Sequence, residues 1–309
     1  MTTWDEVADD PNYIKVLDKG FVGLVDTMGD DSAIVQAART SYGKGTKSVS
    51  EDRGLIRYLM RHQHSTPFEM VEFKFHLKMP IFVMRQHVRH RMASINEYSG
   101  RYSVMTDEFY IPETSRLQAQ SIDNKQGSAG QLEGQELEMV LNTIKRVSAE
   151  NYLDYLSLIN DPDGRNYNLG ERQGLARELA RMVLPVNNYT ELYWKIDLKN
   201  LFHYLNLRAD SHAQYEIQEL ANPIGAFVQK VCPMAWEAFE DYWKGATTLS
   251  RIEKNLLQDV VDYSNQASVS VGESYSRILQ DAGDRKKLLL KYNLSGRELG
   301  EFEKRWKLA

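Results

Sequence analysis

Residues 71 to 78 alternate without a break between apolar and polar side chains, with Val71, Phe73, Phe75 and Leu77 on one face and Glu72, Lys74, His76 and Lys78 on the other. A period of two held this long reads as a half-buried strand, and a single wet face points to antiparallel rather than parallel neighbours. His76, on the polar face, is expected at the surface. Helical spacing takes over at Pro80, a residue suited to the first helical position because its missing N–H would have no partner there. Wound as a helix from Pro80 to Arg91, the chain carries an apolar stripe of Ile81, Met84 and Val88, with Gln86, Arg89 and His90 on the opposite face.

The segment Arg85 to Arg101 then packs four arginines, two histidines, a glutamate, two serines and a glycine into seventeen residues. Gly100, between Ser99 and Arg101, marks a break where backbone N–H groups approach an anion closely. Guanidinium forks, an amide, a carboxylate and exposed backbone donors are what a nucleotide monophosphate asks for. A solvated basic helix is the plain structural alternative, and a nucleic-acid footprint is another. The second sits poorly with a formal net charge of −5, because such binding rests on phosphate neutralisation by excess Lys and Arg.

The length, 309 residues, suits one large domain or two smaller ones. Cys232 is the single cysteine, so an intrachain disulfide is excluded. No apolar run approaches the ~18 residues of a membrane span, and Met1 to Glu6 lacks the pattern of a signal peptide; the expected location is the cytoplasm. A strand is expected at Phe21–Val25, a helix capped by Ser32 through Arg39, and a helix capped by Ser50 that turns Leu55, Ile56, Leu59 and Met60 inward. His62 and His64 lack a third ligand, so no metal is expected.

Residues 117 to 135 are polar and read as a surface loop or disordered insertion. A long amphipathic helix follows from Leu137 to Ile159, closed by Asp161-Pro-Asp-Gly164. Glu171 to Leu184 reads as a helix with Leu175, Leu179 and Met182 on its apolar side, Arg177 structural, and Arg181 one turn on. Thr190–Ile196 is a strand, and Asp197 caps a helix that buries Leu198, Leu201, Phe202 and Leu205. His203 in this setting reads as a satisfied core residue. Arg208 and His212, at i and i+4, share a face. Pro223 marks a break. From Thr247 three short helices are expected, with capping-box spacing at Ser250/Glu253 and Ser295/Glu298. The whole reads as an α+β fold, a central mostly antiparallel sheet with flanking helices and a helical tail.

Arg89-His-Arg, followed by Ser94, Asn96, Ser99 and Arg101, resembles the signature of the flavin-dependent thymidylate synthases. Leu205–Gln214 and His64–Glu69 resemble two further segments of that family, and the resemblance covers roughly residues 20 to 242. It implies a catalytic domain over residues 1–246 with an insertion near 117–135, and a helical extension over 247–309. It also implies reductive methylation of dUMP to dTMP. Methylenetetrahydrofolate would give the carbon, an FAD reduced by NADPH would give the hydride, and no cysteine nucleophile would be used. A non-catalytic dUMP-binding module is a further alternative.

By the same resemblance Arg208 activates the pyrimidine. The nucleotide set falls on Gln86, His87, Val88, Arg89, Glu97, Tyr98, Ser99, Gly100, Arg101, Arg181 and Arg208. The flavin set falls on Ser41, Thr66, Arg89, His90, Arg91, Glu97, Asp197, Leu198, Lys199, His203 and His212, and His64 lies where folate or nicotinamide stacks. Asp197 departs from the family, where Asn is common, so a helix cap is its other reading. The family's homotetramer, with active sites shared between subunits, is the implied assembly.

Overall fold

A computed structural model of the chain describes residues 1–40, 49–121, 128–159, 173–282 and 285–308. Two compact units divide it, Met1–Lys244 and Gly245–Ala309. The first opens with β1 (Tyr13–Val16), β2 (Gly20–Met28), α1 (Asp31–Thr40), α2 (Val49–Arg61), β3 (Glu72–Pro80), α3 (Ile81–His87) and β4 (Ser94–Glu97). It continues with β5 (Gln118–Gln120), β6 (Ser128–Gln131), α4 (Gly134–Ile159), α5 (Arg177–Ala180), β7 (Tyr189–Asp197), α6 (Leu198–Arg208), α7 (Tyr215–Val231) and α8 (Pro233–Phe239).

Five strands form one sheet in the order β1-β2-β3-β7-β4, every neighbour antiparallel. The alternation in β3 orders its packing: Phe73, Phe75 and Leu77, with Leu192, Trp194 and Ile196 of β7, are buried in the main core. Leu198, Leu201, Phe202 and Leu205 of α6 and Ile217, Leu220, Ile224 and Phe227 of α7 join that core. The apolar burial, worth roughly 25 cal/mol per Å², fixes α6 on the sheet. Asp31 is buried and accepts from the backbone N–H of Met234 (2.8 Å) and Ala235 (2.9 Å), which holds the start of α8.

The polar face of β3 is wet only at its start, where Lys74 is exposed and Glu72 half-buried. His76 and Lys78 are buried, which corrects the surface placement of His76. Segments distant in sequence cover this face and supply partners. His76 lies 2.9 Å from the Tyr13 hydroxyl and 2.7 Å from Glu191, while Lys78 donates to Thr2 O (2.7 Å) and Glu108 (2.8 Å). Burial alone would raise the Glu191 pKa, but His76 and the hydroxyl and backbone N–H of Thr2 together hold it down at about 2.

Several local expectations also change. The helix after β3 is shorter than Pro80–Arg91: Pro80 is its cap, and it ends at His87. Its buried face is Val83, Met84 and His87, and Val88 is exposed. Asp30 rather than Ser32 caps α1, accepting from the Ser32 backbone N–H (2.8 Å) and hydroxyl (2.6 Å). Pro223 lies inside α7, where buried Leu220, Ala221 and Ile224 around it outweigh one missing backbone hydrogen bond. Within the 117–135 segment, read as a loop or disordered insertion, β5 and β6 pair antiparallel. Of the helix expected over Glu171–Leu184, the described residues 173–184 hold only α5 and a 3-10 turn, with Leu179 and Met182 exposed and Ala180 buried. Ser41, Asp161–Gly164 and Glu171 lie outside the described residues, as does the side chain of Ser50.

The described residues of the second unit form α9 (Arg251–Ala267), α10 (Val271–Asp281), α11 (Arg285–Tyr292) and α12 (Gly296–Trp306), four helices where three were expected. Their own core includes Leu256, Val260, Leu288, Leu299 and Phe302. Both anticipated capping boxes are present, and Ser270 adds a further cap on α10.

The folded Glu191 pKa lies below the ordinary carboxylate value, so the stability it contributes is present above about pH 4.5 and is lost as pH falls toward 2. Chemical denaturation at pH 5 and pH 2.5 is expected to show Glu191→Gln losing on the order of 2 kcal/mol less over that interval than the parent chain. An equal loss in both would place the acid sensitivity elsewhere.

Candidate active site

β7 hands the chain to α6 at Asp197, whose carboxylate accepts from the Asn200 backbone N–H (2.9 Å) and carboxamide (2.6 Å). That cap sets the direction of α6, so that Asn200, His203, Leu207 and Arg208 open onto a cavity of about 470 Å³. Arg89, His90, Arg91 and Met92, just past α3, form the other wall.

Arg208 is held across this cavity without a carboxylate. Its Nε donates to His90 Nε2 (3.0 Å) and one terminal nitrogen donates to the Gln86 carbonyl (3.4 Å). A ring nitrogen that accepts cannot also carry a proton, so His90 is neutral with its hydrogen on Nδ1. Burial, then the charge of Arg208 and the nearby His203, lowers the His90 pKa to about 4. Tyr204 packs on the His90 ring with centroids 4.8 Å apart. Among the described residues no carboxylate pairs with Arg89, Arg91 or Arg208, and no acid lines the cavity.

A second cationic group forms at the other end of β7. Pairing of β4 with β7 runs from Ser94–Lys195 to Glu97–Leu192, and the Tyr98 backbone N–H continues it to Glu191 (2.8 Å). The five steps of extended chain from Ser94 to Ser99 advance roughly 16 Å along β7, away from the end that carries Asp197. There the Tyr102 and Ser103 N–H groups close a turn on Ser99 O. A Cβ on Gly100 would lie 3.2 Å from Arg181 Cδ and 3.0 Å from Met105 Sδ, so glycine lets the arginine stem pass against the backbone. Arg177 donates to Tyr102 O (3.2 Å), Arg181 to Glu178 O (3.3 Å), and Arg101 approaches the Glu178 carboxylate (3.4 Å). Three guanidiniums around one acid leave a net positive patch suited to a phosphate.

The anticipated residues therefore separate. Arg89, His90, Arg91, His203 and Arg208 share the cavity, and exposed His203 is not the core residue its setting implied. Ser99, Gly100, Arg101 and Arg181 share the distant patch. Glu97, between them, accepts from Thr190 Oγ1 (2.7 Å), and Tyr98 donates to Val104 O (2.9 Å). His87 and Leu198 are fully buried, so their side chains serve the core; His87 packs on Trp194, and desolvation first lowers its pKa to about 3.

His64 and Thr66 border a separate cavity of about 640 Å³ beside Tyr58, and Lys199 and His64 border another of about 240 Å³. His212 does not share a face with Arg208: α6 ends at Arg208, and His212 turns outward onto Asp210 (2.9 Å). Asn200 and Met92 line the main cavity without having been anticipated; Asn200, three residues after a capping acid, was the detectable one.

Residues 23–234 match the family described as thymidylate synthase complementing protein. The flavin-dependent thymidylate synthase of Gluconobacter oxydans is 56% identical over 236 residues, 76% of this chain and 75% of that protein. The Thermus thermophilus enzyme of the same name is 51% identical over 270 residues, 87% of this chain and 94% of its own. The chain belongs to the flavin-dependent thymidylate synthase family. Its fold is similar to the crystal structure of the UMP/dUMP methylase PolB from Streptomyces cacaoi bound with 5-Br dUMP, at a TM-score of 0.64 and 32% identity, covering 75% of this chain and 99% of that one.

A flavin dinucleotide needs cations and donors for its phosphates, and a family cavity walled by three arginines, two imidazoles and Asn200 with no acid fits that need. Cys232, by contrast, is fully buried, and burial followed by Asp31 and Asp30 pushes its thiol up, away from the thiolate a nucleophile requires.

In a ¹⁵N-detected imidazole spectrum His90 is expected as the neutral Nδ1–H tautomer at pH 6. A doubly protonated ring at that pH would mean that Arg208 is held by something else.

Proposed function

We propose that the chain methylates dUMP reductively to dTMP, with methylenetetrahydrofolate as carbon donor, FAD as the flavin and NADPH as its reductant. The observation that carries this reading is Arg208, a guanidinium fixed by neutral acceptors and therefore uncompensated. Set against the carbonyl edge of a uracil, such a charge stabilises the N3-ionised or enolate-like ring and raises electron density at C5. A preorganised charge in a site shielded from water lowers such a barrier by several kcal/mol, so no thiol addition is required.

Bound FAD supplies hydride, and Arg89, His90, Arg91, Asn200 and His203 are the residues to hold it, with Ser41, Thr66, Lys199 and His212 as further candidates. Asp197 acts as a helix cap in this reading. His64 borders the space assigned to folate or nicotinamide. Arg101, Arg181 and the Ser99–Gly100 backbone hold the nucleotide phosphate.

The separation of the phosphate patch from Arg208 along β7 favours a homo-oligomer, the family's homotetramer, in which one subunit's patch faces another's cavity. Among the described residues no helix is long and apolar enough to cross a membrane, and we place the enzyme in the cytoplasm. A nucleic-acid binder or a dUMP module without catalysis would be colourless.

Arg208→Ala is expected to keep its flavin absorbance near 450 nm while dTMP formation falls by about a hundredfold or more. Arg101→Ala should mainly raise KM for dUMP. Near-normal turnover by Arg208→Ala, or purified parent protein without flavin, would overturn the proposal.

A further inference from the structure

Gln86 has two connections to the site, and only one of them is to Arg208. Its backbone oxygen accepts from that guanidinium (3.4 Å), while its side-chain Nε2 donates to Gln214 Oε1 (2.5 Å). Gln214 Nε2 in turn donates to Glu216 Oε2 (2.7 Å), and the Tyr110 hydroxyl donates to Glu216 Oε1 (3.2 Å). Glu216 is 8% exposed and lies in the first turn of α7, where the helix N-terminus favours its charge. Burial and the adjacent carboxylate push the Tyr110 phenol up, which keeps it a donor.

The polarity of this chain of contacts has one solution. A carboxylate only accepts, so Gln214 must turn its NH₂ to Glu216 and its oxygen to Gln86. Gln86 must then give its NH₂ to Gln214, and among the described residues its own Oε1 has no partner. We infer that Gln214 and Glu216 are positioning residues that lock the Gln86 carboxamide with its oxygen toward the nucleotide, so that the site selects a hydrogen-bond donor there, a hydroxyl or imide N–H. This rests on the reading of Gln86 as a nucleotide contact. A freely rotating amide would offer donor and acceptor alike and discriminate less.

Steady-state kinetics on the flavin-loaded enzyme test this, with flavin content checked near 450 nm. Gln86→Leu and Gln214→Leu are each expected to raise KM for dUMP about five- to tenfold, and their combination is expected to be no worse than either. Gln214→Glu sets two carboxylates against each other and should raise KM similarly. Adding Glu216→Gln should recover most of the loss, because the acid at 214 then accepts from both neighbouring amides and the hydroxyl of Tyr110 still has an acceptor.

A merely structural role for these contacts predicts no such rescue. Independent, multiplying effects of the two leucine variants, or failure of the exchanged pair to improve on Gln214→Glu, would overturn the inference. If Gln86→Leu raises KM while Gln214→Leu leaves it unchanged, the positioning role alone fails. If Gln86→Leu also leaves it unchanged, the nucleotide reading of Gln86 fails with it.

Discussion

The hydrogen bond from Arg208 Nε to His90 Nε2 decides what kind of charge this site contains. Other arginines of the chain are spent on acids: Arg57 pairs with Glu237 and Asp241, and Arg285 pairs with Glu303. Those pairs fasten helices together and leave little field for anything else. Arg208 is held instead by a neutral imidazole and a carbonyl, so its positive charge is not cancelled by a partner. Neutrality of His90 is the condition, and partial burial beside a guanidinium secures it well below the ordinary histidine range.

That arrangement depends on β7. Its C-terminal end caps and aims α6, which delivers Arg208, and its pairing with β4 draws Ser99 to Arg101 toward the opposite end. The same ladder that orders both cationic groups therefore keeps them apart. Under the proposed reading, a nucleotide that needs a phosphate anchor and a ring-polarising charge meets only half of its contacts on either end of the strand. In that reading a second copy supplies the other half, and assembly becomes part of the catalytic geometry.

Much of this could be read from residue patterns, and the exceptions share a cause. Period-two alternation located β3, the turn chemistry located the caps at Asp197, Ser250 and Ser295, and the RHR signature located one wall of the cavity. The failures were contacts made at long range in sequence. His76 and Lys78 look like surface residues until Thr2, Tyr13, Glu108 and Glu191 arrive to cover them. His203 sits among apolar neighbours along the chain yet faces the cavity, because α6 buries Phe202 and Tyr204 on either side of it. Pro223 reads as a breaker, but the packing of α7 against the core overrides it. Glu216 carried no local signal at all; its importance comes from Gln214, Gln86 and Tyr110 meeting it in space.

The division of the site between subunits is tested most directly by co-expressing Arg208→Ala and Arg101→Ala chains with different tags and isolating the mixed oligomer. The account predicts that each variant alone is impaired and that the mixture regains a substantial part of parental dTMP formation, since some sites then combine an intact Arg208 with an intact Arg101 from different copies. A mixed oligomer no more active than the two separate variants would contradict it, and would return both groups to a single chain.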